Sequence, residues 1–447
     1  MAGRGGGQGT RTVASYDEDT TTMAVEAARA ARWAVPDAGL DALWFSTVAP
    51  AYLDKTNATA IHAALRLGDD VGAYDAVGSV RSGMGALRAA VRGAGSALVV
   101  ASDLRTGRPG SADEADGGDG AAALVIGGRD DGPVLAEVVG WGTATREFLD
   151  RWRVPGETRS QTWEERFGEV NYVPLGVAAF EAALKEGGLA ADDVDHVIVT
   201  GTHGRAAAAT ARALSVGPGE GLADSLSASV GNTGAAHPAL LLASVLERAT
   251  PGQAVALVVL ADGAEAMLLR ITDAIAKPRP GLSVADQIAA GGPVAYGTFL
   301  AWRGWLPVEP PRRPAPARPS AAAAARSADW KFGFVGSADD AGEVHLPPSP
   351  LDREPRPMAD AFGTIVTFTV DRLAYSPSPP VVFAVVDFDG GGRVPVELTD
   401  VDVEEVAIGA RVRMTFRRLY TAEGIANYFW KATLARERSA SPTGEGG

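Results

Sequence analysis

The chain has 447 residues, no cysteine and a formal net charge of -14 at pH 7. The absence of cysteine excludes disulfides, thiolate nucleophiles and Cys-ligated zinc or iron–sulfur sites, and the negative charge disfavours nucleic acid and anionic membranes as partners. Apolar residues make up 46% of the chain, which is typical of a globular protein with two or three domains. No stretch approaches about 18 uninterrupted apolar residues, so we expect a cytoplasmic protein that does not enter a membrane.

The first part of the chain repeats one order of elements. Residues 23–47 and residues 176–200 each have the pattern of a helix, a turn and a buried strand. Pairs of apolar runs of strand length follow in both halves, at residues 96–103, 121–128, 254–262 and 264–271. Because near-continuous apolar strands need cover on both faces, the pattern predicts an internally duplicated, layered α/β fold with central helices between stacked sheets. We place the two halves at residues 1–150 and 151–275.

A Pro- and Ala-rich segment, residues 276–328, follows the duplicated unit. Its prolines between residues 307 and 319 lack amide donors and favour extended polyproline geometry, which predicts a semi-rigid connector. The last unit, residues 329–447, contains short β-rich runs and the turn sequence DFDGGGR, and it ends in a tail expected to be disordered. Five strands in about a hundred residues favour a small barrel of the oligonucleotide/oligosaccharide-binding (OB) type, with a sandwich as the alternative.

Six motifs follow one another in the duplicated unit: YDEDTTTMAVEAA, PAYLDKTNATAIHAAL, GSVRSGMGAL, DGGDGAAALVIG, FLDRWRVPGETRSQTWEERFGEVNY and SVGNTG. Their order resembles the thiolase superfamily, and most closely its 3-hydroxy-3-methylglutaryl-CoA synthase branch, with the ketoacyl synthase III enzymes as more distant relatives. The resemblance covers about residues 12–272. The last unit is similar to the OB-fold proteins that accompany such enzymes, normally as a zinc ribbon followed by a barrel.

The resemblance implies a Cys that receives the acyl group at the start of a buried helix, with a His and a Glu for acid–base chemistry. A helix start suits a Cys because its amide dipoles stabilise the thiolate. The family Cys falls on Val80 and the family Glu falls near Val48, and neither valine can perform that chemistry. Ser79 and Ser82 flank the Cys position and are candidate replacement nucleophiles, with His203 as the base. Alternatively, the two serines cap the helix or form hydrogen bonds within the loop.

His203 in VTGTHGR and Asn232 in SVGNTG are the candidate catalytic residues that remain. In ketoacyl synthase relatives the matching pair donates hydrogen bonds to a thioester carbonyl and stabilises the enolate, which requires no Cys. The alternatives are a satisfied histidine in a glycine-rich turn and an asparagine that forms a turn or a helix cap. Arg81 is a weaker candidate for binding a CoA phosphate or a substrate carboxylate, and it is otherwise a solvated loop residue.

The ribbon region has also lost its chemistry. Where relatives carry Cys pairs, this chain has Ala338, Ala341, Asp352 and Pro355, which cannot form a tetrahedral zinc site. His345 is then interpreted as a lone surface histidine. We therefore expect a shrunken ribbon loop, no metal site, and no cofactor beyond a CoA thioester that serves as substrate.

Three functions fit these observations. The first is an enzyme that makes or breaks a C–C bond next to an acyl-CoA thioester without an acyl-enzyme, by Claisen or aldol, retro-aldol or decarboxylation chemistry. The second is a non-catalytic partner of an active thiolase, in which the barrel bridges subunits and guides acyl-CoA. The third, an OB-type nucleic-acid or carbohydrate binder, is disfavoured because the barrel is acidic. The resemblance also implies an acyl-CoA or acyl-carrier thioester as ligand and a homodimer, alone or in complex with a thiolase.

Overall fold

The computed structural model describes residues 9–127, 132–215, 221–278, 281–312, 314–352 and 354–435. These residues form two compact units. Within the described ranges, the first unit takes residues up to Val13, Ala27–Ala58 and Asp70–Gly292, and the second takes Ala14–Glu26, Thr59–Asp69 and the residues from Pro293 onward. Two short segments of the predicted first half, residues 14–26 and 59–69, thus belong to the unit that contains the barrel.

The elements of the duplicated region alternate between helices and strands. The helices are α1 Thr20–Trp33, α2 Ala58–Ala64, α3 Val80–Arg92, α4 Ala112–Asp116, α5 Glu165–Gly187, α6 Gly204–Ala213 and α7 His237–Leu246. The strands are β1 Ala42–Thr47, β2 Gly72–Val77, β3 Ala97–Asp103, β4 Gly120–Ile126, β5 Ala136–Ala144, β6 Arg151–Trp152, β7 Gln161–Thr162, β8 His196–Gly201, β9 Ala254–Leu260 and β10 Ala264–Ile271. In the ranges that the structure describes, no helix has both the length and the apolar composition that crossing a membrane requires.

Two four-stranded sheets share the topology of three of their strands. The first has the strand order β2-β1-β3-β4 and the second has the order β5-β10-β9-β8. In the first sheet β1 pairs parallel with β3, which pairs antiparallel with β4. In the second sheet β8 pairs parallel with β9, which pairs antiparallel with β10. The matching order of β1-β3-β4 and β8-β9-β10 confirms the predicted duplication, whereas the fourth strands, β2 and β5, lie on opposite edges. Strand β5 joins the second sheet although it precedes residue 151.

Strand β9 shows why its sequence, AVALVVL, is apolar throughout. Leu257 and Val259 pack in one buried cluster with side chains of α3 and α7. Val258 and Leu260 belong to a second cluster that contains side chains of α5 and α6. Because successive side chains of a strand point to opposite faces, helices must cover both faces of this sheet. This arrangement confirms the predicted layered α/β fold.

The connector contains more helix than its proline content predicts. Its helices are α8 Val284–Ala289, α9 Tyr296–Trp302, α10 Ala321–Arg326 and, at its end, α11 Ala328–Gly333. The described residues between 307 and 319, which hold the clustered prolines, form neither helix nor strand. Helices therefore form on both sides of the prolines, where amide donors are available.

The last unit contains a closed five-stranded barrel, which confirms the OB-type prediction over the sandwich. The strands after the connector are β11 Val335–Ala338, β12 Val344–His345, β13 Glu354–Pro357, β14 Phe362–Asp371, β15 Val381–Phe388, β16 Arg393–Leu398, β17 Arg411–Ala422 and β18 Ile425–Leu434. The barrel order is β14-β15-β16-β18-β17. Gly390, Gly391 and Gly392 all have positive φ in the β15–β16 turn, a conformation that residues with a side chain rarely adopt.

A hydrogen-bonded cluster occupies the ribbon region, where β11 pairs with β12 and β13. One oxygen of Asp352, Oδ2, accepts hydrogen bonds from Oγ of Ser337 and Nδ1 of His345, both at 2.6 Å. The interpretation of His345 as a lone surface histidine is therefore wrong. The bond to Asp352 raises the pKa of His345, and the bonds from Ser337 and His345 lower the pKa of Asp352. A hydroxyl, an imidazole and one shared carboxylate do not fit a tetrahedral zinc site, and the hydrogen bonds hold the strands instead.

A buried ionic cluster joins residues 14–26 to the barrel within the second unit. The ammonium group of Lys431 lies 2.9 Å from Oδ2 of Asp17 and 2.7 Å from Oε1 of Glu397, and its side chain is only 2% exposed. Arg417 lies 2.9 Å from Oε1 of Glu18 and also contacts Asp17. Neighbouring carboxylates raise the pKa of Lys431 against the opposing effect of burial. The ionic cluster therefore depends on every charge having its partner.

We expect Lys431→Met to lower the free energy of unfolding by about 3–5 kcal/mol, because it leaves buried carboxylate charge without its partner. Urea denaturation measures this loss. The matched control is Arg393→Met, which breaks an exposed ion pair with Asp387 on the same barrel and should change stability little. Equal losses for the two variants would contradict the structural role of the ionic cluster.

Candidate active site

The first unit brings the carboxyl ends of its parallel strands to one edge of each sheet. Ligands of open α/β sheets bind outside these ends. Val48 follows β1, and Asp103 ends the neighbouring strand β3. His203 follows β8, and Asp262 follows the neighbouring strand β9. The polar candidates therefore lie on the side of each sheet where this fold class places its chemistry.

Asp103 is a fully buried carboxylate that ties the two halves together. Its Oδ1 accepts hydrogen bonds from Oγ1 of Thr47 at 2.8 Å and from the amide of Val48 at 2.7 Å. Its Oδ2 accepts a 2.6 Å bond from the amide of Ala235 in the second half. Burial raises the pKa of Asp103, while the Arg105 charge and these bonds oppose the rise. Asp103 thus fixes the position of the backbone after β1 relative to the glycine-rich segment before α7.

The positions that the resemblance assigns to the family Cys and Glu are apolar. Val80 begins α3 and is 6% exposed, and it belongs to the buried cluster between the sheets. Val48 packs against that same cluster. A valine side chain is neither a nucleophile nor an acid, so both positions lack the chemistry that the resemblance implies.

The side chains around Val80 form hydrogen bonds within the first unit. The Ser79 side chain lowers the pKa of Asp262 against the larger effect of burial, and the Ser82 hydroxyl donates to the carbonyl of Val77 at 3.3 Å. Neither serine is hydrogen-bonded to His203 in the described part of the chain, so the structure does not assemble the Ser–His pair. A nucleophilic role for either serine stays a prediction without a base beside it.

Arg81 also has its partners inside the protein. Its Nη2 lies 3.0 Å from Oε1 of Glu265 and 2.6 Å from Oγ1 of Thr145, and its Nη1 donates to the carbonyl of Asp262. These contacts join α3 to the second sheet. Binding of CoA through Arg81 stays a prediction, and it would compete with these bonds.

His203 lies at the amino-terminal cap of α6. Its Nδ1 accepts a hydrogen bond from the amide of Ala206 at 3.1 Å, and its Nε2 lies 2.8 Å from the carbonyl of Glu165. Because Nδ1 accepts, the ring is the tautomer with its proton on Nε2, and this N–H donates to Glu165. The residue therefore caps a helix and at the same time presents one N–H group at the carboxyl end of β8.

Asn232 lies close to the same strand end. Its amide nitrogen donates to the carbonyl of Gly201 at 2.8 Å, and its side-chain oxygen accepts from the amide of Gly234 at 3.0 Å. Gly201 is the last residue of β8 and stands two positions before His203. The structure thus brings the two predicted residues to one strand end, and the second N–H of the amide remains as a donor.

Three polar residues near His203 were missed by the sequence analysis. The ring of Tyr172 lies edge-on to the imidazole with centroids 6.0 Å apart. Asp150 is 5% exposed, and its charge acts on the Tyr172 hydroxyl. The hydroxyl of Tyr172 accepts a 3.4 Å bond from the amide of Asp262. Burial raises the pKa of Tyr172, and the charges of Asp150 and Asp262 raise it further. The phenol therefore keeps its proton at neutral pH, and its O–H group can donate a hydrogen bond.

Gly168 on α5 packs closely against two of these groups. A methyl group at this position would lie 2.7 Å from Nε2 of His203 and 2.6 Å from Oδ1 of Asp150. The imidazole and the carboxylate therefore both pack against Gly168, where a side chain would not fit. The sequence indicated this region only through the motif that begins FLDRWR. Asp150 comes from a loop, Tyr172 from a helix and Asp262 from the end of a strand, so no local pattern groups the three residues. The described residues hold no group of three His, Asp or Glu side chains suited to a metal ion.

Because the chain has no natural cysteine, Val80→Cys gives a single-thiol protein that reports access to the family Cys position. We expect its labelling by a maleimide to be at least about tenfold slower than that of Val170→Cys, because Val170 is 73% exposed on α5 whereas Val80 is packed in the core. Stopped-time labelling followed by mass spectrometry measures both rates. Equal rates would show that the position opens to solvent and would contradict the closed apolar packing.

Comparisons with known proteins agree with this architecture. Residues 355–417 match the family described as ChsH2, C-terminal OB-fold domain. A hydroxymethylglutaryl-CoA synthase of Aeropyrum pernix is 30% identical over 309 residues, which cover 67% of this chain and 85% of that protein. The Pyrococcus horikoshii enzyme of the same name is 29% identical over 278 residues, covering 60% of this chain and 79% of that protein.

Solved structures give the same fold. A structure described as MvaS in complex with 3-hydroxy-3-methylglutaryl coenzyme A has a TM-score of 0.54 and 20% identity, covering 69% of this chain and 85% of that one. FabH of Pseudomonas aeruginosa, a 3-oxoacyl-(acyl carrier protein) synthase III, has a TM-score of 0.50 and 23% identity, covering 60% of this chain and 87% of that one. The duplicated unit is therefore a thiolase-like fold. The chain belongs to the hydroxymethylglutaryl-CoA synthase family, with an OB-fold domain at its carboxyl-terminal end.

Proposed function

We propose that this chain binds an acyl-CoA thioester at the carboxyl ends of β8 and β9 and makes or breaks a C–C bond next to the thioester without a Cys acyl-enzyme. Membership of a family whose relatives are named for acyl-CoA condensation supports the thioester ligand. The proposed C–C bond chemistry without an acyl-enzyme is supported by the contrast in polarity between two neighbouring groups of residues. The Cys and Glu positions are apolar, whereas His203, Asn232, Tyr172 and Asp150 remain gathered at one strand end.

The proposed carbonyl site uses two N–H groups. The N–H on Nε2 of His203 leaves the carbonyl of Glu165 and donates to the thioester oxygen, and the second N–H of Asn232 donates to that same oxygen. Such donors stabilise the negative charge that develops on oxygen when an enolate forms. The capping bond from Ala206 keeps the proton on Nε2, so the imidazole is ready to act as the donor.

The proposed proton transfers involve Asp150 and Tyr172. In the retro-aldol direction, Asp150 accepts the proton of a β-hydroxyl group, the bond between the α- and β-carbons breaks, and its electron pair forms the thioester enolate. The β-carbon leaves as a carbonyl product, and the proton returns from Asp150 to the α-carbon. Tyr172 stays protonated because burial and the charge of Asp150 raise its pKa, so its O–H is a donor for the substrate oxygen. The aldol direction is the same sequence reversed, and no cofactor is needed for either.

The assembly that we propose is a homodimer whose ligand is an acyl-CoA or acyl-carrier thioester. Two-fold assemblies are the commonest among soluble oligomers.

We expect His203→Asn to lower turnover of a 3-hydroxyacyl-CoA by about 100-fold or more, because it removes the imidazole donor. Asparagine is also a good helix cap, so α6 should keep its amino-terminal hydrogen bond and the protein should stay folded. Liquid chromatography of the acyl-CoA species measures turnover, and thermal unfolding checks the fold.

The matched control is His196→Asn at the amino end of β8, where the imidazole lies 3.2 Å from the side-chain oxygen of Gln253. This variant should keep full turnover. Wild-type turnover that survives His203→Asn unchanged would remove His203 from the mechanism.

A non-catalytic partner of an active thiolase is the second candidate. It is favoured by the backbone bonds that occupy both nitrogens of His203, and by exposed apolar side chains on and beside the barrel strands, namely Phe362, Leu373, Tyr375, Phe383 and Ile408. Exposed apolar groups of this kind mark interaction surfaces. For this candidate we expect no turnover by the purified chain, and recovery of a thiolase in native co-purification that Leu373→Glu abolishes. Recovery of this chain alone would remove its support.

A further inference from the structure

Three arginines lie together at the end of the first sheet, outside the polar group around His203. Arg105 follows β3, Arg151 begins β6, and Arg153 follows β6. We refer to Arg105, Arg151 and Arg153 as the arginine cluster. Its members act on one another, because the charges of Arg151 and Arg153 both lower the pKa of Arg105, in addition to the larger effect of burial.

The guanidinium of Arg105 is buried without a hydrogen bond. Its side chain is 8% exposed, and the described residues supply no acceptor within hydrogen-bond distance of its side-chain nitrogens. The nearest carboxylate oxygens form only loose ion pairs, with Oδ1 of Asp113 at 3.8 Å and Oδ2 of Asp103 at 4.0 Å. A guanidinium has five N–H donors, and burying them without acceptors is costly. Arg105 therefore holds donors that a ligand oxygen would satisfy.

Both neighbouring carboxylates form shorter bonds with other partners than with Arg105. Asp113 is engaged by Arg151 in a two-pronged pair, with Nη1–Oδ1 at 2.8 Å and Nη2–Oδ2 at 2.9 Å. The oxygens of Asp103 accept from a hydroxyl and two backbone amides. Three guanidinium groups thus lie beside two carboxylates that hold shorter bonds to other partners, so the ion pairs of Arg105 stay loose.

The neighbouring imidazole and glycine add no negative charge beside Arg105. His237 is buried, and burial together with the charge of Arg105 lowers its pKa to about 4, so it is neutral at pH 7. Gly234 carries no side chain, and a methyl group there would lie 3.0 Å from Nη1 of Arg105. The same methyl group would overlap Oδ2 of Asp103, so Gly234 lets the backbone approach the carboxylate and the guanidinium closely.

The arginine cluster borders the place where the resemblance puts the family Glu. Arg153 donates a hydrogen bond to the carbonyl of Val48, and Asp103 binds the amide of the same residue. The position expected to carry a negative side chain is therefore apolar and stands beside positive charge. This reversal favours an anionic group of the ligand over a neutral one.

We propose that the arginine cluster binds an oxyanion of the ligand, with carboxylate or phosphate oxygens accepting hydrogen bonds from the guanidinium of Arg105. The side chain of Arg151 is 17% exposed, against 8% for Arg105, so it is the more accessible of the two to an anion from solvent. The identity of the oxyanion rests on the proposed function. It is either a carboxylate at the far end of the acyl group or a phosphate of CoA. Guanidinium groups suit both because their fork of N–H groups matches two oxygens of either anion.

Thermal unfolding with simple anions tests this site without any thioester. We expect sodium glutarate or sodium phosphate to raise the melting temperature of the wild-type protein above that in sodium chloride of equal ionic strength, because a ligand held by the folded state stabilises it. Arg105→Gln should weaken the apparent affinity by about tenfold or more. Arg108→Gln, which changes an exposed arginine of the same loop, should leave the affinity unchanged.

If Arg105→Gln does not fold, Arg153→Gln supplies the same test from the second guanidinium. A response to glutarate alone assigns the site to a carboxylate, and a response to phosphate alone assigns it to a phosphate group. No rise above sodium chloride in the wild type, or an equal rise in Arg105→Gln, overturns the proposal.

The anion test and the turnover test distinguish failure of the anion site from failure of the proposed function. Anion binding that depends on Arg105 in a protein without turnover keeps the site and removes the proposed chemistry. Turnover that depends on His203, with no anion response, keeps the chemistry and removes the site.

Discussion

The buried carboxylate of Asp103 is the interaction on which the geometry of the first unit depends. A single side chain binds the backbone after β1 and the glycine-rich segment of the second half. Burying a carboxylate is unfavourable unless its oxygens are satisfied, so both segments must reach Asp103 together. The fold therefore joins its two repeats at the same edge where the parallel strands end, and the positions of Val48, Gly234 and Arg105 follow from this one anchor.

Around this anchor the two halves of the site have diverged in polarity. Val80 and Val48 extend the apolar core to the positions where the resemblance implies a nucleophile and an acid. His203 and Asn232 keep polar contacts to the end of β8, and Asp150 and Tyr172 add a carboxylate and a phenol beside them. A fold of this class supports several chemistries because function lies in the side chains at the strand ends and not in the strands.

The carboxyl-terminal unit shows a related replacement of one type of interaction by another. Hydrogen bonds among Ser337, His345 and Asp352 join the ribbon strands where relatives are expected to use zinc. Buried ion pairs of Lys431 and Arg417 fix residues 14–26 on the barrel. Both clusters use charge and hydrogen bonding to order short segments that have little apolar surface of their own, and both need all their members in place.

The sequence by itself determined the duplicated α/β order, the barrel and the loss of the Cys, because apolar periodicity and residue identity are local properties. It also placed His203 and Asn232 on loops that follow strands. Only the tertiary structure showed that both nitrogens of His203 are bonded, that Asp150 and Tyr172 stand beside it, and that Arg105 lacks an acceptor. These facts depend on contacts between residues far apart in the chain, such as Arg153 with Val48. Side-chain partners across such separations are set by how strands and helices pack, which no local pattern encodes.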